Sequence, residues 1–115
     1  MIEKAVRQEG VLTLEEAVHL MTEVPARLYG LRDRGRLDVG ALGDLVVFDV
    51  DTVASGEIGM RFDLPAGAGR LYAEPTGVDH VLVNGTPIVH GGALTDARPG
   101  TLLRAGRDTA TPPLS

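Results

Sequence analysis

A mixed α/β chain, with an N-terminal helical hairpin followed by a mainly antiparallel sheet, is the fold class that this sequence predicts. Three observations lead there. Apolar residues recur at helical spacing before residue 30, glycines punctuate the chain at Gly35, Gly40 and Gly43, and β-branched runs follow, two of them joined by Asn84-Gly85. With 115 residues, 43% apolar and 23% charged, the chain has the composition of one globular domain. That length suffices to bury roughly two-thirds of the unfolded surface.

Each element has a local reason. Ile2 to Gln8 reads as a short helix, or the end of a longer one, closed by Gly10. Thr13 then supplies an N-cap oxygen, and Glu16 three residues on completes a capping box. Leu14, Ala17, Val18 and Met21 follow at i, i+3, i+4 and i+7, which is one apolar helix face. Pro25 opens the turn "PARLYG", because its fixed φ suits a first helical position, and Gly30 suits the exit.

The strands come after Gly35. "LVVFD", Leu45 to Asp49, is β-branched and aromatic, and its unbroken apolar run implies cover on both faces. Poorer strands are expected around Ile58–Leu64 and Arg70–Tyr72, with the loose "PAGAG" between them. "VDHVLVNGTPIVHGG" reads as a hairpin, since Asn-Gly is the favoured dipeptide of a type I′ turn. A two-residue loop sets Val83 against Thr86, Val81 against Ile88 and Asp79 against His90. The other face then holds His80, Leu82, Pro87 and Val89. Pro87 lacks an N–H on its outer side, which makes Thr86–His90 an edge there. A short strand at Thr101–Arg104 is the last expected element before a fraying tail with Pro112 and Pro113. The helices can shield one side of this sheet. The other side needs more strand than the chain plainly owns, so either residues 50–77 complete it or a partner does.

Composition excludes several functions. The formal charge is −5, and of 11 basic residues only Arg32, Arg34 and Arg36 cluster, so nucleic acid is not an expected partner. Tyr29, Phe48, Phe62 and Tyr72 offer no stacking platform for bases. No apolar run reaches the roughly 18 residues of a membrane span. Cysteine is absent, so no thiolate nucleophile or Cys-based zinc site exists, and the charged opening "MIEKAVRQEG" has no apolar signal core. A cytoplasmic setting is the expectation.

Chemistry-bearing residues are few. His19 lies off the apolar helix stripe, and His80 and His90 fall on opposite faces of the expected hairpin, so they do not converge. Zinc needs three or four converging ligands, and neither H-x-H nor H-E-x-x-H occurs. Glu15 and Glu16 suit a helix N-terminus, while Asp44, Asp49 and Asp51 read as turn formers at strand ends. Ser55 and Ser115 lie outside any G-x-S-x-G elbow, and Gly67 and Gly69 lack the G-K-[ST] of a phosphate loop. Arg32, Arg34 and Arg36 alternate with Asp33 and Gly35 as a solvated turn would. No catalytic, cofactor-binding or metal-binding residue is assigned.

The order of motifs carries more than any single residue. "LTLEEAVHLMTEVPARLYGLRDRGRLDVGALGDLVVFD", Leu12 to Asp49, resembles the end of the catalytic domain in metal-dependent amidohydrolases. There a helix, T-x-x-P-A, "GL" and G-x-L-x-x-G-x-x-A-D-L-V-V-F-D lead from a (β/α)₈ barrel into a small β-sandwich. Thr22, Pro25, Ala26, Gly30, Leu31, Gly35, Leu37, Gly40, Asp44 and Leu45–Asp49 match that run. Gly43 stands where the family has Ala, a small-for-small change expected to matter little. "GVDHVLVNGTPIVHGGALTDARPGTLLR", Gly77 to Arg104, is similar to the same family's closing hairpin and P-G-x-x-L-R ending, with the N-acyl-D-amino-acid deacylase (D-aminoacylase) group nearest in flavour. The resemblance implies that residues 1–34 are terminal helices of an absent barrel, 35–107 the C-terminal part of the sandwich, and 108–115 a flexible tail. It also implies a zinc enzyme hydrolysing N-acyl-(D-)amino acids or related C–N bonds, whose metal ligands lie upstream of the matched segment. No cofactor is then held here, and the isolated chain is expected to be inactive. Its partners would be the missing barrel and N-terminal strands, or another copy through exposed strand edges. The alternative is a free-standing β-rich interaction or ligand-binding module.

Overall fold

In a computed structural model that describes residues 1–113, the helices precede the strands and all strand pairs are antiparallel. Leu114 and Ser115, the end of the expected tail, lie outside the described residues. The chain opens with a π-type helical segment, Ile2–Gln8, followed by α1 (Leu14–Met21) and α2 (Glu23–Leu28). The capping box forms as the sequence requires: the Glu16 N–H donates to Thr13 Oγ1 at 3.2 Å, and the Thr13 N–H donates to Glu16 Oε2 at 2.8 Å. Of the expected apolar face, Ala17 is fully buried, while Val18 and Met21 border an open cleft.

Two separate sheets follow. β1 (Leu45–Phe48), β4 (Val78–Val83), β5 (Thr86–His90) and β6 (Ala93–Leu94) form one, in the order β1-β4-β5-β6. β2 (Ala54–Arg61) and β3 (Arg70–Thr76) form a two-stranded ribbon, joined through a 3-10 turn at Pro65–Gly67. Both ribbon strands are longer than the sequence led us to expect, and β2 starts earlier. Residues 50–77 thus build their own ribbon instead of completing the larger sheet.

The hairpin turn is as expected, but its register is not. Asn84 and Gly85 carry φ of 50° and 75°, the left-handed pair that a type I′ turn demands. Val83 faces Thr86 and Leu82 faces Pro87, after which the register slips: Val81 meets Val89 and His80 meets His90. Ile88 is the extra residue of a β-bulge, so the expected Val81–Ile88 and Asp79–His90 pairs do not form. The bulge lies next to Pro87, where prolines and bulges commonly coincide in strands. On the outer side of β5, the Thr95 hydroxyl donates to the Pro87 carbonyl at 2.8 Å and the Thr95 N–H to the Ile88 carbonyl at 2.9 Å. β6 covers only Val89 and His90.

No strand forms at Thr101–Arg104, because that backbone turns back on itself: the Arg104 N–H donates to Asp108 Oδ2 at 2.7 Å. Beyond it, Leu31 and Thr109 form an antiparallel bridge, with the Ala110 N–H donating to the Gly30 carbonyl at 2.8 Å and the Arg32 N–H to the Asp108 carbonyl at 3.2 Å. Gly30, at φ +64°, is required here, since a Cβ would overlap the Ala110 carbonyl.

Burial is the largest departure from expectation. Among the described residues only Ile2, Ala17 and Ala26 are buried, at 8%, 0% and 5% exposure. Val46 and Val47, on opposite faces of β1, are 57% and 48% exposed, so the cover implied by the run of apolar residues is not supplied. The accessible surface is 8590 Å², against about 6,000 Å² for a compact monomer of this mass.

Candidate functional site

The N-terminal helical segment is fastened to the β1–β2 connection by charge. The Arg7 guanidinium donates to the carbonyls of Val50 and Val53 at 2.9 and 2.6 Å, and Glu3 Oε2 accepts the Ser55 N–H at 3.2 Å. Between this segment, α1 and β1 lies a cleft of about 670 Å³, walled by Ile2, Val18, Met21, Leu45, Val46 and Phe48. Its rim carries Glu3, Thr22, Arg36, Asp44 and Ser55. Most of these are already committed: Thr22 Oγ1 donates to the Val18 carbonyl at 2.7 Å, and Arg36 sits 3.7 Å from Asp38. The cleft adjoins β1, the first strand of its sheet, whose outer edge no strand pairs among the described residues. Apolar walls and an open strand edge can receive another segment of protein.

Asp44, expected only to form a turn, bonds two partners distant in sequence. Its Oδ2 pairs with the Arg34 guanidinium, and its Oδ1 accepts the Asn84 N–H at 3.0 Å. Asn84 in turn donates through Nδ2 to the Pro99 carbonyl at 2.8 Å. Arg34 is not the solvated turn residue that charge alternation suggests, for its side chain is 15% exposed. Next to this knot the Gly85 N–H donates to the Gly43 carbonyl at 2.8 Å. A Cβ on Gly43 would lie 2.9 Å from the Gly85 nitrogen, so alanine there would require the hairpin to shift. Gly43 is therefore a closer fit than a small-for-small exchange suggests.

The histidines divide differently from expectation. His19 is half-exposed and 3.3 Å from Glu23 Oε2, as its position off the stripe implies. The bulge brings His80 and His90 onto one face, with ring centroids 4.8 Å apart and tilted by 47°. The Gly91 N–H donates to His80 Nδ1 at 3.2 Å. Two imidazoles, one already occupied, do not make a zinc site. No group of three or more His, Asp or Glu converges among the described residues, so the residues present do not fit the metal that the family resemblance implies.

Sequence reasoning missed Arg7, Glu3 and the Arg34–Asp44–Asn84 knot. The signal for Asp44 was its place in the matched run. Nothing local pointed to partners 10 and 40 residues away. Among the described residues no helix is long and apolar enough to cross a membrane.

Comparison with known proteins bears on this site. The amidohydrolase family matches residues 2–89, a stretch that takes in the cleft, the knot and most of the hairpin. N-acyl-D-glutamate deacylase of Alcaligenes xylosoxydans xylosoxydans is 45% identical over 108 residues, covering 94% of this chain and 20% of that protein. D-aminoacylase of the same organism is 37% identical over 97 residues (84% of this chain, 18% of that protein), and its N-acyl-D-aspartate deacylase is 36% identical over 101 (88% and 18%). The chain thus spans about one fifth of the length of these relatives. No solved structure matches it. Near-complete coverage at these identities, along the order of motifs already traced, makes the chain a member of the amidohydrolase family, on its D-aminoacylase-like side.

Proposed function

We propose that this chain is the C-terminal segment of a metal-dependent amidohydrolase acting on N-acyl-D-amino acids, and that it is catalytically silent alone. The observation that carries the reading is the match of 94% of the chain to only 20% of an N-acyl-D-glutamate deacylase. The open cleft and the near absence of buried side chains support it, because both are what a segment built to be covered would present. In this reading α1 and α2 close a barrel and the β1-β4-β5-β6 sheet is the C-terminal share of a small β-sandwich. The outer edge of β1 would receive strands from the start of the same enzyme. Zinc, the metal the family favours, would be held by the barrel. This chain's own contribution is rigid: Arg34, Asp44 and Asn84 fix the angle between the exit from the helices and the closing hairpin.

A free-standing binding module has less support, because it needs residues 50–77 to complete the larger sheet, and they form a ribbon of their own. The test is hydrolysis of N-acetyl-D-glutamate by the chain alone, and by the chain co-expressed with the Alcaligenes N-acyl-D-glutamate deacylase cut to lack the matching fifth. Turnover only in the co-expressed pair is the expected result. Turnover by the chain alone overturns the proposal, and so does a pair that co-purifies without activity under zinc.

A further inference from the structure

Residues 104–110 are shaped by one carboxylate. Three N–H groups converge on Asp108 Oδ2: the Arg104 backbone N–H at 2.7 Å, Arg107 Nε at 2.8 Å and an Arg107 terminal nitrogen at 2.6 Å. The Asp108 N–H returns to the Arg104 carbonyl at 2.9 Å, so the loop closes on itself. The same Arg107 nitrogen reaches the Leu102 carbonyl at 3.0 Å, and the Gly106 N–H donates to Thr109 Oγ1 at 3.1 Å. Closed in this way, the loop sets Thr109 opposite Leu31, with the Arg32 N–H on the Asp108 carbonyl and the Ala110 N–H on the Gly30 carbonyl. Packing adds little. Leu102, Ala105, Gly106 and Arg107 are exposed, and a recess of about 530 Å³ separates Tyr29 and Arg32 from the loop.

We infer that residues 104–110 form a strap whose closure on residues 30–32 is set by the charge of Asp108. Geometry gives this one residue both halves of the contact, since its side chain shapes the loop and its carbonyl receives Arg32. A hydrogen bond to a charged acceptor is roughly twice as strong as one to a neutral acceptor. A proton on Asp108 therefore weakens all three convergent bonds together. The surrounding charges favour the ionised form: Arg107 lies against it, Arg34 acts from the helix exit, and Arg104 contributes its backbone N–H. Hydrogen bonds from Arg107, and then from the Arg104 N–H, hold the Asp108 carboxyl below the ordinary carboxylate range. The closed strap thus binds fewer protons in acid than the open one. Closure is complete above about pH 4 and is lost as pH falls through the lowered value. Opening bares the Gly30 carbonyl and the Arg32 N–H, which become a short free edge. This device is separate from the open edge of β1, and the inference does not depend on the catalytic reading.

Amide hydrogen exchange of the whole chain, read at Arg32 and Ala110 with the amides of β4 as reference, tests it. Asp108→Asn keeps the shape and an acceptor oxygen but not the charge. At about pH 6 it should lower protection at Arg32 and Ala110 at least ~5-fold, and it should abolish the further loss that the unmodified chain shows in acid. Asp108→Ala removes the acceptor as well and should lower protection more, while Arg107→Gln should fall between the unmodified chain and Asp108→Asn. In all three variants β4 stays protected, and trypsin cuts after Arg104 faster than in the unmodified chain. Asp108→Asn with undiminished protection at Arg32 and Ala110 overturns the inference. So does an acid response that persists in that variant, or a loss shared equally by β4.

Discussion

Asp44 accepts from Arg34 with one oxygen and from the Asn84 backbone with the other, so its removal strips two partly buried donors at once. Asp44→Ala should cost about 1–3 kcal/mol, read as a lower urea midpoint, and Asp44→Asn should recover part of the loss by keeping the Asn84 bond. Asp63 gives a pH-dependent counterpart. The hydrogen bonds from Arg70 hold its carboxyl below the ordinary carboxylate range. The folded ribbon therefore binds fewer protons than the unfolded chain in acid, so this contribution is complete above about pH 4 and is lost as pH falls through the lowered value. Amide-proton protection in β2 and β3 should decline below that range, and Asp63→Asn should flatten the dependence. An unchanged profile in the variant would remove Asp63 as its cause. The sequence placed Asp44 as a turn former at a strand end and Asp63 within an expected strand around Ile58–Leu64. It did not show which arginine each would meet, since pairing across 7 to 10 residues of irregular chain has no local signature.

At the scale of elements, legibility follows how local the cause is. The capping box at Thr13 and Glu16 and the Asn84-Gly85 turn were readable because each is settled within four residues. Thr13→Ala should lower stability by about 1 kcal/mol, with a matching loss of helical signal at 222 nm. The bulge at Ile88 was not readable, because the alternation of Val81, Val83, Thr86 and Ile88 fits an unbroken register equally well. One inserted residue reverses the face of everything beyond it, which is why His90 joins His80 and leaves Asp79. The ribbon was half-read for a related reason. Its strand lengths depend on cross-strand pairs such as Ile58–Ala73 and on the Arg61–Tyr72 stack, which exist only once both strands are placed.

The whole molecule is spread out. Its radius of gyration is 16.5 Å, against about 13 Å for a compact chain of this length. Composition forecast a globular domain and the sheet inventory forecast a shortage of cover; the shortage prevailed, since apolar residues can be abundant without facing one another. Urea unfolding of the isolated chain should consequently be shallow, with a slope near or below ~1 kcal/mol/M, and dyes that bind apolar surface should fluoresce in its presence. A steep transition with no dye binding would contradict this.

One local feature has an architectural consequence. The chain leaves its helices at Leu31 and comes back to Thr109 alongside it, as neighbouring rungs of one antiparallel bridge. Everything between hangs from a two-strand stem whose feet stand about 5 Å apart. The Arg7 clamp on Val50 and Val53 ties the same stretch a second time, to the N-terminal helical segment. Residues 31–109 therefore enter and leave at one place, so a change at Gly30 that parts Leu31 from Thr109 would loosen both ends of the stretch at once.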